Sequence, residues 1–319
     1  MLRLIKLLFI ILICTIVACD RSPKPSKTIS LAQNGLFSAN LSQNYALLGT
    51  VDGYGELWKN QGKPSLVHKW KHTDEESGII ATDISPNEEF AITAENNSIA
   101  WWRIEDGTLL SVWGLANINN ISISPDGHFA LIGLEDKAVY LSLDSGKALY
   151  TFTHDDKVIT TDISHTGKYA VTGSEDHSAK LWDLSTGEIK HTWKHHNQLS
   201  TVAISHDDKY VFTNAALSQS QLWKVSNGKL HKQLGPSLIT YSSAEFSSNH
   251  KFLLLGHTSQ RIELWKVRSG KLVNFWRPKT DDAWRPSAAT ILSLKFNSTN
   301  KKFSSISTNG LLQKWRVKK

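Results

Sequence analysis

The side chains that could carry chemistry in this sequence are 13 histidines, 29 acidic residues and two cysteines. Both cysteines, Cys14 and Cys19, lie within the first twenty residues, so the rest of the chain has no disulfide scaffold, cysteine-based zinc site or cysteine nucleophile. Glycine-rich phosphate loops and the G-x-S-x-G motif of serine hydrolases are absent. Paired acids such as Asp155-Asp156 fall in predicted loops, where solvated charge is the simpler interpretation. We therefore expect no enzyme activity, no metal and no other cofactor.

The N-terminus has the pattern of an export signal. Arg3 and Lys6 precede the apolar run Leu7–Val17, which is shorter than the roughly 20 residues of a spanning helix. The end of this run, Ile16-Val17-Ala18-Cys19, resembles a bacterial lipobox. The resemblance implies removal of residues 1–18 as a lipoprotein signal peptide and lipidation of Cys19. Residues 19–27 would then be the lipidated cysteine and an extended tether.

Two alternatives to lipidation stay open, a plain secretory signal and a short membrane anchor that is not cleaved. Ile16 stands where the lipobox commonly has Leu. With lipidation, we expect a bacterial envelope protein that is attached to a membrane by its N-terminal lipid and faces the periplasm. Asp20 resembles an inner-membrane retention signal, but the choice between inner and outer membrane stays open.

A unit of about 40 residues repeats seven times over residues 28–319. Six of the seven repeats have a tryptophan at the same position within the repeat, and the remaining repeat has Tyr140-Leu141 there. The six are Trp58, Trp102, Trp182, Trp223, Trp265 and Trp315. This period is typical of four-stranded propeller blades.

Each unit has alternating apolar runs separated by Gly, Asn and Asp turns, which predicts four strands, a to d. No segment has a sustained helical period. The sequence thus predicts an all-β, seven-bladed propeller of antiparallel blades, in which large aromatic residues fill the space between blades. The chain ends after strand c of the last unit, and a spare strand, Thr28–Ala32, precedes the first. We expect that strand to pair with Leu312–Val317 and close the ring.

The fourth repeat resembles the WD-repeat family. It has His154 before strand a, Thr172 in strand b, Asp176 in the b–c turn and Trp182 in strand c. The resemblance implies that these four side chains form a buried hydrogen-bond chain. His72 and His195 recur at the phase of His154, which favours structural roles. Other repeats are degenerate: Asn96, Leu217, Ser259 and Asn309 stand at the position of Asp176.

Two features of the sequence are not explained by the repeat pattern. The connection Arg277–Thr290 is longer than its counterparts and contains Trp284 and Arg285, an aromatic–Arg pair typical of interface anchors. An alternative is that Trp284 covers a blade edge. The second feature is His195-His196, in a connection on the face where WD-repeat propellers commonly bind partners.

The chain has a net charge of +7 and a pI near 9.2. Its basic residues are spread over strand d and the turns without an aromatic-interleaved basic run, so we expect no nucleic-acid partner. The sequence favours a monomeric, non-catalytic scaffold for protein partners in the cell envelope. Two alternatives are a quinoprotein-like propeller of outer-membrane assembly and a propeller hydrolase or lyase with a loop-built site.

Overall fold

A computed structural model describes residues 22–72, 77–279 and 289–317. These residues form seven four-stranded antiparallel sheets arranged as a propeller, and the described segments contain no helix. The predicted all-β, seven-bladed fold is therefore confirmed. The predictions for Cys19, Trp284 and Arg285 concern residues outside the described segments.

The strands are numbered along the chain, and blades are numbered from the first complete sheet. Blade 1 contains β2 Leu36–Leu41, β3 Tyr45–Thr50, β4 Gly55–Lys59 and β5 Ser65–Trp70; blade 2 contains β6 Ala81–Ile84, β7 Phe90–Ala94, β8 Ser98–Arg103 and β9 Leu109–Gly114. Blade 3 contains β10 Asn120–Ile123, β11 Phe129–Gly133, β12 Lys137–Ser142 and β13 Ala148–Thr153; blade 4 contains β14 Val158–Ile163, β15 Tyr169–Ser174, β16 Ser178–Asp183 and β17 Glu188–Lys194. Blade 5 contains β18 Leu199–Ile204, β19 Tyr210–Ala215, β20 Ser220–Lys224 and β21 Leu230–Leu234; blade 6 contains β22 Tyr241–Phe246, β23 Phe252–His257, β24 Ile262–Lys266 and β25 Lys271–Trp276. Blade 7 contains β26 Ile291–Phe296, β27 Lys302–Ser307, β28 Leu311–Arg316 and the N-terminal β1 Lys27–Ser30.

The ring is closed by the N-terminal strand, as predicted. Strand β1 pairs antiparallel with β28, and Ile29 lies opposite Leu312. Backbone hydrogen bonds extend the pairing at both ends, from Ser26 N to Lys314 O and from Leu31 N to Gly310 O. The last blade thereby gains its outer strand from the beginning of the chain, which covers an edge that would otherwise be exposed.

Aromatic residues join neighbouring blades. The strand-d aromatic of one blade stacks on the strand-c tryptophan of the next, with centroid distances of 4.9 Å for Trp70–Trp102 and 4.3 Å for Phe152–Trp182. In blades 1 to 6 the pairing of strands c and d is irregular at the strand-c tryptophan or its counterpart. Such a bulge bends the strand and increases its twist, which turns these side chains toward the adjacent blade.

The connections form two faces. The a–b turns of all seven blades and the c–d turns of blades 1–6 lie at one end, and we call this the bottom face. The b–c turns and the described parts of the d–a connections lie at the opposite end, which we call the top face. The inner strands contact one another around the ring from β2 to β26 and back to β2, and they enclose a central channel. Within the described segments, no helix is long and apolar enough to cross a membrane.

Candidate functional site on the top face

The hydrogen-bond chain in blade 4 begins at the strand-c tryptophan and ends on the top face. Trp182 Nε1 donates to Thr172 Oγ1 at 2.9 Å, and Thr172 Oγ1 lies 2.8 Å from His154 Nε2. His154 Nδ1 lies 2.9 Å from Asp176 Oδ2. All four side chains suggested by the sequence pattern thus belong to one chain of contacts.

One protonation state satisfies the whole chain. Burial lowers the pKa of His154, although the hydrogen bond to Asp176 opposes the shift. Burial would raise the pKa of Asp176, but hydrogen bonds from Ser178, the Asp155 amide and His154 outweigh it and hold the pKa at about 2. A neutral His154 then donates from Nδ1 to the Asp176 carboxylate and accepts the Thr172 hydroxyl proton at Nε2. The arrangement fixes the connection between blades 3 and 4 to the b–c turn of blade 4.

Blade 2 builds the same chain with a different acid. Trp102 Nε1 donates to Thr93 Oγ1, which lies 2.6 Å from His72 Nε2. His72 Nδ1 contacts Ser98 Oγ at 2.9 Å, and Ser98 Oγ donates to Glu95 Oε2 at 3.3 Å. The buried carboxylate is therefore Glu95, one residue before the exposed Asn96 that occupies the expected position.

Blades 1 and 6 satisfy their tryptophans in a way that the sequence analysis did not predict. Leucine replaces the strand-b hydroxyl in both blades, and a glutamate two residues before the tryptophan accepts its N–H: Glu56 from Trp58 at 3.3 Å and Glu263 from Trp265 at 3.0 Å. Glu263 is buried and also accepts a hydrogen bond from Tyr241. The sequence signal was the coincidence of Leu at the hydroxyl position with Glu in the strand-c Glu-Leu-Trp triplet.

Blade 5 has an incomplete chain. Trp223 Nε1 donates to Thr213 Oγ1 at 2.8 Å, but His195 Nε2 is buried without a hydrogen-bond partner among the described residues. Burial, with the nearby His196, lowers the pKa of His195 to about 4, so this ring is neutral at physiological pH. Leu217 occupies the position of the orienting acid. In blade 5, an apolar side chain thus occupies the top-face position at which blade 4 has the Asp176 carboxylate.

Leu217 forms an exposed apolar patch with Leu238 of the next connection. Leu238 N donates to Leu217 O at 3.2 Å, which joins the two loops. The side chains are 58% and 76% exposed, and Leu238 has the largest exposed fraction among the large apolar side chains in the described segments. Both residues have positive φ, 53° and 72°, which is uncommon for leucine and marks loops held by their surroundings.

The preceding connection borders this patch. It contains His195 and the exposed His196, and its Gln198 O accepts a hydrogen bond from Ala216 N, beside Leu217. We call His195, His196, Leu217 and Leu238 the blade 5 top surface. Two exposed leucines beside an exposed imidazole offer apolar contact area with a polar margin, the usual composition of a protein-binding surface.

Charged residues from four blades meet in the central channel: Asp83, Asp162, Glu245 and Lys295. Lys295 Nζ lies 3.0 Å from Glu245 Oε1, and it also lowers the pKa of Asp83. Burial outweighs the stabilising contacts of both aspartates and raises each pKa to about 7. Asp83 accepts the amide of Ile123 in blade 3, and Asp162 accepts that of Ile204 in blade 5, so both aspartates also join neighbouring blades.

The histidines and acids do not assemble a metal centre within the described segments, where no group of three or more potential ligands has suitable geometry. His191 and His195 are four residues apart in the sequence, a spacing that brings two metal ligands together on a helix, but His191 is on strand β17. In the structure, the His191 Nε2 atom instead lies 2.8 Å from Val225 O of the next blade. This ring therefore has an inter-blade structural contact.

Comparison with known proteins agrees with the fold. Residues 146–183 match the family model "WD domain, G-beta repeat", and this segment contains all four residues of the blade 4 hydrogen-bond chain. The matched segment therefore resembles one WD repeat.

Two curated proteins resemble parts of the chain. The U3 small nucleolar RNA-associated protein 12 of Saccharomyces cerevisiae is 26% identical over 141 residues, which cover 42% of this chain and 15% of that protein. The small ribosomal subunit protein RACK1 of Drosophila melanogaster is 30% identical over 128 residues, which cover 36% of each chain. The matched regions thus span only about a third or less of these relatives.

Proposed function

We propose that this protein is a non-catalytic, lipid-anchored WD-repeat-like propeller that binds protein partners in a bacterial cell envelope through its blade 5 top surface. The observation that carries the binding role is the pair Leu217 and Leu238, whose side chains are exposed and whose loops are joined by a backbone hydrogen bond. Exposed apolar side chains that are brought together and bordered by polar residues mark candidate protein-binding surfaces. The WD-repeat match supports the general role of a scaffold.

Charge substitutions on this surface test the binding role. Leu217→Asp with Leu238→Asp places two carboxylates on the surface, and aspartate tolerates the left-handed backbone of both positions. The matched control is Leu149→Asp with Ile189→Asp, because these side chains are about equally exposed on outer strands of blades 3 and 4. We expect the first pair to abolish capture of partners from native membranes and the second pair to preserve it. Equal capture by both variants would contradict the proposal.

The lipid anchor rests on Cys19 and needs a separate test. Cys19→Ser removes the thiol that would receive the diacylglyceryl group, so we expect no incorporation of labelled palmitate and an unprocessed precursor. Cys14→Ser is the matched control, since it alters the only other cysteine and leaves Cys19 in place. Equal labelling of the Cys19 variant and wild type would contradict the anchor without affecting the binding role.

A further inference from the structure

Charge is distributed unevenly around the ring. Residues 77–198, which form blades 2–4, contain 17 Asp and Glu and eight Lys and Arg. The described part of blades 5–7, residues 199–279 and 289–317, contains 16 Lys and Arg and only four Asp and Glu. The positive net charge of the chain is therefore concentrated in one half of the propeller.

Much of this positive charge lies on the bottom face. Exposed basic side chains occur in the c–d turns and the a–b turns of three consecutive blades: Lys224, Lys229, Lys251, Lys266, Arg268 and Lys301. We call these six residues the basic bottom surface. In blades 5 and 6 the two turns are joined by backbone hydrogen bonds, from Val225 N to Lys209 O and from Val267 N to Lys251 O. The charges are thus presented on hydrogen-bonded turns at one end of the molecule.

The acids of blades 5–7 do not neutralise this surface. Glu263 is buried, and Glu245 pairs with Lys295 in the channel. Asp207 is on the bottom face, but it pairs with a further lysine, Lys209, at 3.0 Å. Asp208 is the other acid on the described bottom face of these blades, and its single negative charge offsets at most one of the six basic side chains.

The N-terminal segment joins the propeller beside the basic bottom surface. Ser26 N and Oγ both donate to Lys314 O, near the bottom end of β28. Pro23, Lys24, Ser26 and Arg316 line a small cavity at the same place. The chain that leads back toward Cys19 therefore leaves the propeller from the bottom of blade 7.

We propose that the basic bottom surface lies against anionic phospholipid headgroups of the membrane that holds the lipid anchor. This orientation rests on the proposed anchor, since a lipidated N-terminus would hold the bottom face close to the bilayer. Attraction between lysines and anionic lipids decays within a Debye length, about 8 Å at physiological ionic strength, so an anchored protein gains most from it. A lipid chain and a basic surface together bind a membrane more stably than either alone. The blade 5 top surface then faces away from the membrane, toward partners.

A fluorescence measurement tests this orientation in the full-length protein, purified from its native membrane and reconstituted into vesicles. Ser269→Cys and Ser259→Cys introduce labelling sites in exposed turns of blade 6, on the bottom and top faces respectively. In phosphatidylglycerol-containing vesicles, we expect energy transfer to a lipid dye to be about twofold or more higher from position 269. The difference should decrease in phosphatidylcholine vesicles and at high salt, because both remove the electrostatic attraction.

Charge reversal provides the matched control. Lys251→Glu, Lys266→Glu and Arg268→Glu together should remove the difference between positions 269 and 259. The triple variant Lys147→Glu, Lys190→Glu and Lys194→Glu changes the net charge equally but alters exposed residues of blades 3 and 4, and it should preserve the difference. Equal transfer from both positions in anionic vesicles, or equal loss in both triple variants, would overturn the proposal.

The same vesicles separate this inference from the anchor. Protein that washes off phosphatidylcholine vesicles lacks the anchor. If that protein still binds phosphatidylglycerol vesicles, with higher energy transfer from position 269 than from position 259, the result would support membrane contact by the basic bottom surface. Displacement from anionic vesicles by single-stranded RNA at an equal phosphate concentration would overturn the choice of lipid and indicate nucleic acid instead.

Discussion

Asp176 is the residue on which the blade 4 hydrogen-bond chain depends most. Its carboxylate contacts His154 Nδ1 and accepts hydrogen bonds from the Ser178 amide and hydroxyl and from the Asp155 amide. Asp176→Ala leaves these donors without an acceptor, and each buried group left unsatisfied costs about 1–3 kcal/mol. We therefore expect urea-induced unfolding at clearly lower denaturant concentration than in wild type.

Asn309 provides the control for that measurement. It occupies the equivalent turn of blade 7, where its Oδ1 accepts one hydrogen bond, from Leu311 N. Asn309→Ala should lower the free energy of unfolding by less than Asp176→Ala. If both variants unfold at the same urea concentration as wild type, the blade 4 hydrogen-bond chain does not stabilise the fold.

Asp162 in the central channel predicts a measurable pH dependence. Burial raises its pKa from 3.8 to about 7 in the folded state, with Asp83 and Glu245 adding repulsion. Because the folded pKa is above the unfolded value, the proton-linked stabilisation is complete below pH 3.8 and is lost as pH rises toward 7. The free energy of unfolding of wild type should thus fall relative to that of Asp162→Asn over this range, by at most about 1.4 kcal/mol per pH unit.

Thermal unfolding of both proteins between pH 4 and 8 measures this difference. The exposed Asp136, changed to Asn, serves as the control for removal of one negative charge from the same half of the propeller. A stability difference between wild type and Asp162→Asn that stays constant over this pH range would show that Asp162 titrates normally.

At the scale of elements, the N-terminal strand β1 offers the sharpest prediction. Ile29 packs in the apolar cluster of Leu36 and Leu312, so β1 contributes side-chain packing as well as backbone pairing. Deletion of residues 20–33 removes the strand and exposes the edge of β28, which should lower the melting temperature and promote association between molecules.

Deletion of residues 20–26 is the control, since it removes the preceding segment and leaves β1 intact. Size-exclusion chromatography should find this shorter variant monomeric and the longer deletion associated. Identical elution and identical melting of the two variants would mean that β1 does not stabilise the ring.

The elements could be predicted from sequence because the repeat has a fixed period. Gly, Asn and Asp turns separate strands of similar length, and the tryptophans mark the same strand in six blades. The observed β1, Lys27–Ser30, differs from the predicted Thr28–Ala32 by only one or two residues at each end. The blade 4 hydrogen-bond chain could be predicted because its four residues resemble the pattern of the WD-repeat family.

The blade 5 top surface was only partly predictable. His195-His196 stands out in the sequence, but Leu217 and Leu238 are 21 positions apart and meet because neighbouring blades bring their loops together. The channel cluster was missed for the same reason. The sequence around Asp83 and Lys295 does not indicate that they lie in the channel, because each resembles an ordinary polar residue of a strand with alternating apolar and polar positions.

At the scale of the whole molecule, the structure separates three kinds of surface. The blade 5 top surface is apolar with a polar margin, the basic bottom surface carries uncompensated positive charge, and blades 2–4 carry most of the acids. One repeated backbone thus presents different chemistry in different directions, because turns tolerate substitution more readily than the packed strands between blades. The two proposed contacts, with a protein partner and with a membrane, use opposite faces of the propeller.

Site-specific photo-crosslinking in intact cells tests the central claim, partner binding through the blade 5 top surface, most directly. A photoreactive amino acid at position 238, in the described loop between blades 5 and 6, should give a discrete crosslinked protein. The same amino acid at position 149, on an outer strand of blade 3, should give none. The crosslink at 238 should disappear when His196→Asp and Leu217→Asp are added. Equal crosslinking at 238 and 149, or a crosslink at 238 that persists in that variant, would contradict partner binding through this surface.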